Sequence, residues 1–324
     1  MKKKTKVGGV DKFKPNLHRF SHPAMATIYE IIIYHKDAEY AAQAAHAAFA
    51  EIDRLERELS RFISNSDISR INLLSKSDAM QVGPDAFECL RQCKKLFEET
   101  NGAFDITAGF LLNCWINKDK SPRQPSKKEI QDVLSRMGMN YIHLDETTFT
   151  VQVMNDGVQI DLGGFGKGYA LDQVALLLAD WEIENALIHG GRSSVLAIGT
   201  HPQADGWPIT LSHPANPEKV LETLLLKNRT LSGSGLQKGQ HIIDPRSGYP
   251  VAGKTAAWAA SPDGAASDAL STAFMIMSPE EIATYCSTHP NTAGKLITKK
   301  IKGNEGGEEI LTVGSWENIY TTNE

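Results

Sequence analysis

Cysteine is scarce: the 324 residues contain four, Cys89, Cys93, Cys114 and Cys286. That is too few for a disulfide-stapled scaffold, and Cys89 and Cys93, one helical turn apart, read as reduced core thiols. Long apolar runs are also missing. No stretch approaches the roughly 20 apolar residues that a bilayer-spanning helix needs, so no membrane insertion is expected. The basic start, Met1-Lys2-Lys3-Lys4-Thr5-Lys6, is not followed by an apolar segment of signal-peptide length. A cytoplasmic location is expected for the sequence as it stands, and an exported one if a native leader precedes it. An excess of positive charge is absent too: the formal net charge of −5 gives no reason to expect nucleic acid as a partner. Repeats and low-complexity tracts do not occur.

What remains is an ordinary globular composition, 41% hydrophobic and 23% charged, long enough for one large domain or two smaller ones. Residues 1–20 read as a flexible arm. Ile28 to Tyr34 is β-branched and aromatic, a strand. Ala38 to Leu59 carries Phe49, Ile52, Leu55 and Leu59 at helical spacing. Ser66 or Asp67 caps a short helix, and Pro84 opens another that Asn101-Gly102 ends. Lys127 to Met137 is helical. Strands follow at Tyr141–Leu144, Thr148–Met154 and Val158–Ile160, then at Asn185–His189, Val195–Ile198, Trp207–Leu211 and Val220–Leu226. Helices are expected at Ser267–Met277 and Pro279–Ser287, and closing strands at Lys295–Thr298 and Glu309–Val313. Strands scattered between helices, without a strict βαβ beat, predict an α+β fold with mixed or antiparallel sheets and packed helices. The helix-rich first half is a candidate subdomain, although no linker marks a boundary.

The stretch Asp161-Leu162-Gly163-Gly164-Phe165-Gly166-Lys167-Gly168-Tyr169-Ala170-Leu171-Asp172 joins a strand-like run to a helix-like one, Tyr169 to Ala179. Glycines let backbone approach a ligand, and a helix N-terminus presents N–H groups and partial positive charge to an anion. Both standard nucleotide motifs nonetheless fail, because Lys167 is followed by Gly168 and the glycines run Gly-x-Gly-x-Gly. A ligand-free glycine turn reads equally well from composition.

Asp268 and Thr272 stand four apart and share a helix face; carboxylate, hydroxyl and nearby carbonyls suit Mg2+, and they equally suit an ordinary helix start. His241 precedes the turn chemistry of Asp244-Pro245-Arg246-Ser247-Gly248, as a general acid or base or as a structural imidazole. Ser232-Gly233-Ser234-Gly235 reads as a second glycine-containing turn. Phe104, Asp105, Trp115 and Phe62 offer flat apolar faces beside a carboxylate, for a ligand ring or for the core.

Taken together and in this order, the segments resemble the FAD:protein FMN transferase (ApbE) family. The matching stretches are Met25-Ala26-Thr27, Leu59-Ser60-Arg61-Phe62 with Ser66-Asp67-Ile68-Ser69-Arg70-Ile71-Asn72, and Gly102-Ala103-Phe104-Asp105-Ile106-Thr107. They continue with the glycine turn at 161–172, His241-Ile242-Ile243-Asp244-Pro245-Arg246-Ser247-Gly248 and Ser267-Asp268-Ala269-Leu270-Ser271-Thr272-Ala273, spanning about residues 20–280. The resemblance implies a single flavin transferase domain over 21–324 that splits FAD with Mg2+, moves FMN to a threonine or serine hydroxyl of an acceptor flavoprotein and releases AMP. It also admits an FAD pyrophosphatase or a non-catalytic FAD-binding protein. By motif position Met25, Phe62, Ala103, Phe104, Asp105, Asp161, Lys167 and Ile242 would contact FAD. Gly164, Asp268, Ser271 and Thr272 would hold the metal, and His241 matches the catalytic histidine. The chain departs from the family pattern at Ala26, Phe62, Phe165, Gly166 and Arg192.

Overall fold

Alternation sets the first long strand: Tyr29, Ile31 and Ile33 fall on one face of Thr27–Tyr34 and are fully buried. The computed structural model describes residues 16–117, 119, 121–236, 242–299 and 307–316. The first half contains β1 (Leu17–Ala24), β2 (Thr27–Tyr34), α1 (Ala38–Leu59), α2 (Asp67–Ile71), β3 (Ala79–Gln81), α3 (Pro84–Glu99), α4 (Gly109–Trp115) and α5 (Lys127–Leu134). Next come β4 (Ile142–Asp145), β5 (Thr150–Val153), α6 (Gly166–Asp180), β6 (Ala186–Gly190), β7 (Ser194–Ile198), β8 (Trp207–His213) and β9 (Asn216–Leu226). The chain closes with β10 (Arg229–Gly235), β11 (Lys254–Ser261), α7 (Gly264–Ile276), α8 (Pro279–Thr288), β12 (Ala293–Lys299) and β13 (Glu308–Gly314).

An eight-stranded sheet in the order β1-β2-β6-β7-β10-β11-β12-β13 forms the centre, and every pairing in it is antiparallel. The α+β expectation holds, with antiparallel rather than mixed sheets. Helices α1, α6 and α7 pack on one face of this sheet. Their buried residues join Tyr29, Ile31 and Ile33 in the main core, which also takes in Phe87 and Leu90 of α3. The β8–β9 hairpin covers the other face, where Trp207, Leu224 and Leu226 meet Leu187, Val195 and Leu231. No helix among the described residues is long and apolar enough to cross a membrane.

Local chemistry explains the helix starts. The Asp37 carboxylate accepts the Glu39 and Tyr40 amides at 2.9 and 3.0 Å, so α1 begins at Ala38. Ser66 accepts the Ser69 amide at 3.0 Å and caps α2. Asn101 and Gly102 both take positive φ and end α3.

Three expectations need correction. Leu17–Phe20 belong to β1 and not to an arm, whose residues 1–15 lie outside the described residues: on this edge strand, paired with β2, Phe20 packs against the main core and Leu17 against the second cluster, while Arg19 stays exposed. Val158–Ile160 is not a strand. Only Gln159 makes an isolated bridge, and the Asn72 side chain takes both backbone groups of Ile160, at 2.7 and 2.9 Å. Ser232-Gly233-Ser234-Gly235 is no turn but part of β10, where a Cβ on Gly233 would stand 2.7 Å from the Trp258 ring. Sequence reading also misses β1, β3, α4, β10 and β11.

Met25 and Ala26 form the two-residue β1–β2 loop, with φ of 48° and 56°. This is the left-handed geometry of a primed hairpin turn, which usually takes Asn or Gly. A side chain there costs about 1–2 kcal/mol, and glycine's extra unfolded-state freedom offsets about 0.5–1 kcal/mol of any gain from removing it. Ala26→Gly is therefore expected to stabilise the protein by about 0.5 kcal/mol. A denaturant midpoint that falls instead, at unchanged slope, would contradict the strain.

Candidate functional site

The glycine turn folds because its own groups satisfy one another. Asp161 Oδ1 accepts the Gly163 amide at 2.9 Å, and the Leu162 carbonyl accepts the Phe165 and Gly166 amides at 2.9 and 2.7 Å. The chain then enters α6, whose first turn carries Lys167 and Gly168 and meets the first two turns of α7.

There it meets Asp268, whose residue is only 3% exposed. Lys167 Nζ lies 3.1 and 3.3 Å from its two oxygens, and the Gly168 amide donates to Oδ2 at 3.2 Å. From the start of β7, Ser194 Oγ donates to Oδ1 at 3.2 Å. A buried carboxylate needs such partners, since burying an unpaired charge is costly. One turn along α7, Ser271 Oγ and Thr272 Oγ1 stand 2.9 and 3.1 Å from Ser234 Oγ of β10. Gly164 borders this group: a Cβ built on it would lie 3.3 Å from Thr272 Oγ1 and 3.7 Å from the Phe104 ring. Carboxylate, hydroxyls and backbone carbonyls thus collect around one point.

On one side, Asp161 is 2.8 Å from Arg61 Nε, off the hydrogen-bond direction, so the attraction is coulombic. The Arg61 guanidinium lies 4.4 Å from the centroid of the Phe62 ring, which is 81% exposed. The Asp161 amide donates to the Ile106 carbonyl at 2.8 Å and brings the Ala103–Thr107 segment alongside. Asp105 Oδ1 accepts the Thr107 amide and hydroxyl at 2.8 and 2.6 Å. Burial nonetheless raises its pKa, against the lowering effect of those two bonds. On the other side, Tyr29 donates to Met25 Sδ at 3.1 Å. Burial, with the Asp268 charge adding to it, holds the Tyr29 phenol protonated far above its usual range. A Cβ on Gly191 would come within 2.3 Å of Thr27 Oγ1, so the β1–β2 and β6–β7 turns pack tip to tip, with Arg192 exposed beside them.

Met25, Phe104, Gly164, Lys167, Asp268, Ser271 and Thr272 therefore form one connected group, with Phe62, Asp105 and Asp161 on its flank. Ala103 and Ile242 are buried in the main core. His241 lies outside the described residues. Sequence reasoning assigned no role to Arg61, Ser194 or Ser234. Ser234 lies in a glycine-containing segment, but nothing local marks Arg61 or Ser194, whose partners Asp161 and Asp268 are distant in the chain.

The donor set suits a hard divalent cation. Its members are oxygens, with a cation, Lys167, already facing the carboxylate, and no thiol or imidazole is among them. No group of three His, Cys, Asp or Glu that could hold a metal occurs among the described residues. The remaining ligands of an ion at Asp268 would have to be hydroxyl, backbone or substrate oxygens.

Comparison with known proteins gives a consistent result. The model of the ApbE family matches residues 25–296. An FAD:protein FMN transferase of Chlamydia muridarum is 28% identical over 214 residues, 62% of this chain and 65% of its own length. A protein of the same name from Buchnera aphidicola is 28% identical over 215 residues, covering 62% and 63%. The chain thus spans slightly less than two thirds of these relatives. Among solved structures, the flavinyl transferase ApbE of Pseudomonas stutzeri superimposes with a TM-score of 0.82 at 22% identity, over 97% of this chain and 100% of that one. The flavin transferase ApbE of Vibrio cholerae gives 0.80 at 20% identity, over 94% and 99%. At such identities these likenesses establish the fold.

Proposed function

Because the chain belongs to the ApbE family, we propose that it is an FAD:protein FMN transferase. In the reaction, a threonine or serine hydroxyl of an acceptor flavoprotein attacks the FMN phosphorus of FAD. The bond from that phosphorus to the bridging oxygen breaks, AMP leaves with the oxygen, and the hydroxyl proton passes to a base. The observation that carries the reading is the buried Asp268 carboxylate, held between Lys167, the Gly168 amide and Ser194 beneath a glycine turn.

The residues support distinct parts of this chemistry. Asp268 and Thr272, with Ser271 and the Gly164 backbone, would hold Mg2+. When bound, the ion would draw off charge that grows on the phosphoryl and leaving oxygens. Lys167 offers a further cation to the pyrophosphate. Arg61 and Phe62 give a stacking face for a planar ring, Phe104 lines the turn, and Asp105 and Asp161 offer acceptors to ring or ribose donors. The resemblance assigns the proton acceptor to His241, a side chain whose pKa lies close to neutrality.

Incubation with FAD, Mg2+ and candidate acceptor proteins tests the proposal. Flavin fluorescence that stays on the denatured acceptor, with one AMP per flavin attached, is the expected result. AMP release independent of any acceptor would select the pyrophosphatase instead, and tight FAD binding without turnover would select a storage protein. Truncating the exposed ring is expected to weaken FAD binding: Phe62→Ala raises Kd about fivefold, in line with about 1 kcal/mol for an aromatic stack. Phe62→Tyr leaves it unchanged. A flavin fluorescence titration reads both, and equal affinities for all three proteins would remove Phe62 from the site.

A further inference from the structure

Helices α6 and α7 cross at two glycines. A Cβ on Gly168 would stand 2.0 Å from the Gly264 carbonyl oxygen, and one on Gly264 would stand 2.5 Å from that of Gly168. Each glycine is followed four residues later by an aspartate, Asp172 in α6 and Asp268 in α7. Both aspartates reach across. Asp268 accepts the amide of Gly168, in the first turn of α6, at 3.2 Å. Asp172 accepts the first two amides of α7, Gly264 at 2.6 Å and Ala265 at 2.8 Å. Neither helix has an acid of its own in its first turn or a side-chain cap from its N-cap residue, Phe165 or Asp263. The two helices therefore exchange carboxylates, each closing the other's free N–H groups.

The surroundings of the two acids differ. Asp268 also faces Lys167 and Ser194 in the candidate site. Asp172 borders a separate groove of about 900 Å3, lined also by Asp263, Arg229 and His289. Burial raises the Asp172 carboxyl to about 6, with the Asp263 charge adding to the rise and the two amide bonds opposing it. At neutral pH it is therefore still an acceptor-only carboxylate. Lys167 and Gly168 sit one turn before Asp172 on α6, while Asp268 and Thr272 follow Gly264 by one and two turns on α7.

We propose that Asp172 is a positioning residue: by fastening the first turn of α7 to α6 it sets Asp268 and Thr272 in register with Lys167 and Gly164. Among the described residues its hydrogen bonds go to the Gly264 and Ala265 amides and not to the cradle. The proposal rests on the transferase reading only for what the cradle binds.

Amide hydrogen exchange on the metal-free protein tests the register directly. In Asp172→Ala the amides of Gly264 and Ala265 lose their acceptor and exchange faster in any case. If Asp172 sets the register, the Gly168 amide, which bonds Asp268 and not Asp172, also exchanges about tenfold faster, as a local opening does when one cap is lost. Acceleration confined to Gly264 and Ala265 would show a local cap and overturn the proposal. Mn2+ binding by calorimetry gives a second readout. Affinity about tenfold lower in Asp172→Ala is expected for a displaced ligand pair, and wild-type affinity in the folded variant overturns it. Should that variant not fold, Asp172→Asn, which keeps one acceptor oxygen, is read in the same way with a shift of about threefold; no shift at Gly168 or in Mn2+ affinity is then the overturning result. A wild-type protein that neither binds Mn2+ nor releases AMP from FAD defeats the transferase reading, while exchange at Gly168 still decides the role of Asp172.

Discussion

Asp268→Ala is expected to lower Mg2+-dependent AMP release from FAD by on the order of 10³-fold, the scale of losing a principal electrostatic contact to a transition state. Two losses combine. The change removes the one carboxylate of the candidate metal set, and it leaves Lys167 without its counter-ion, free to pair with the pyrophosphate in a way that no longer positions it. The Gly168 amide and the Ser194 hydroxyl also lose their acceptor, so folding stability falls by about 1–3 kcal/mol. Asp268→Asn separates the two effects. An amide oxygen still accepts from Gly168, so most of the stability returns, while the missing charge keeps turnover low. The measurements are AMP release against Mg2+ concentration and a urea midpoint for each variant. A folded Asp268→Ala protein with wild-type turnover removes this residue from the chemistry.

Gly168→Ala is expected to be the most destabilising single methyl addition among the described residues of the site. The added carbon would stand 2.0 Å from the Gly264 carbonyl oxygen, 2.4 Å from its carbon and 2.8 Å from the Ala265 nitrogen. These are backbone atoms, so no rotamer change relieves the clash and the helices must part. Overpacking typically costs about 1–3 kcal/mol, and a contact with rigid backbone belongs at or above the top of that range. Parting the helices also breaks the bond between the Gly168 amide and Asp268, so residual turnover in folded protein should need more Mg2+. The pair of readouts is a chemical denaturation curve and the Mg2+ concentration for half-maximal rate. A midpoint within error of wild type would mean that the crossing is looser than the structure has it. Gly166→Ala is the control, because the nearest atom to its added Cβ is a side-chain carbon of Leu162 at 3.8 Å.

Much of this was legible in the sequence where local physics decides. Asp37, Ser66 and Pro84 open helices by capping and by fixed φ, and α1 has the bounds that its apolar spacing predicts. The glycine turn and the Asp268–Thr272 face were visible because each lies in one short segment. The rest depends on distant partners. β10 reads as a glycine turn and β11 as nothing in particular because both are rich in small residues: Ala256, Ala257, Ala259 and Ala260 of β11 are buried under α7 or on the opposite face, and glycine and alanine have little strand preference of their own. Small residues are what let α7 approach the sheet. Arg61 finds Asp161, Ser194 finds Asp268 and Asn72 finds Ile160 only once segments distant in the chain have packed together, so no spacing rule reveals them. Asp172 looked like one more member of a turn segment, yet its partners lie 92 and 93 residues later.

The antiparallel sheet has a consequence for the order of events in making the protein. β2 pairs with β6, bringing Tyr29 opposite Gly190, and among the described residues β1 and β2 have no other strand neighbours in the sheet. While the chain is synthesised from its N-terminus, the Ile-rich edge of this first hairpin must wait unpaired until β6 emerges. Exposed strand edges of this kind invite association between chains. Non-local pairing also slows folding, because the loop entropy is spent before the contacts form. Asp268 and Thr272 come later still, on a helix that packs on β10 and β11. The candidate site therefore cannot be assembled on the nascent chain before α7 has emerged, and β12 and β13, which follow α7 in the chain, complete the sheet only afterwards.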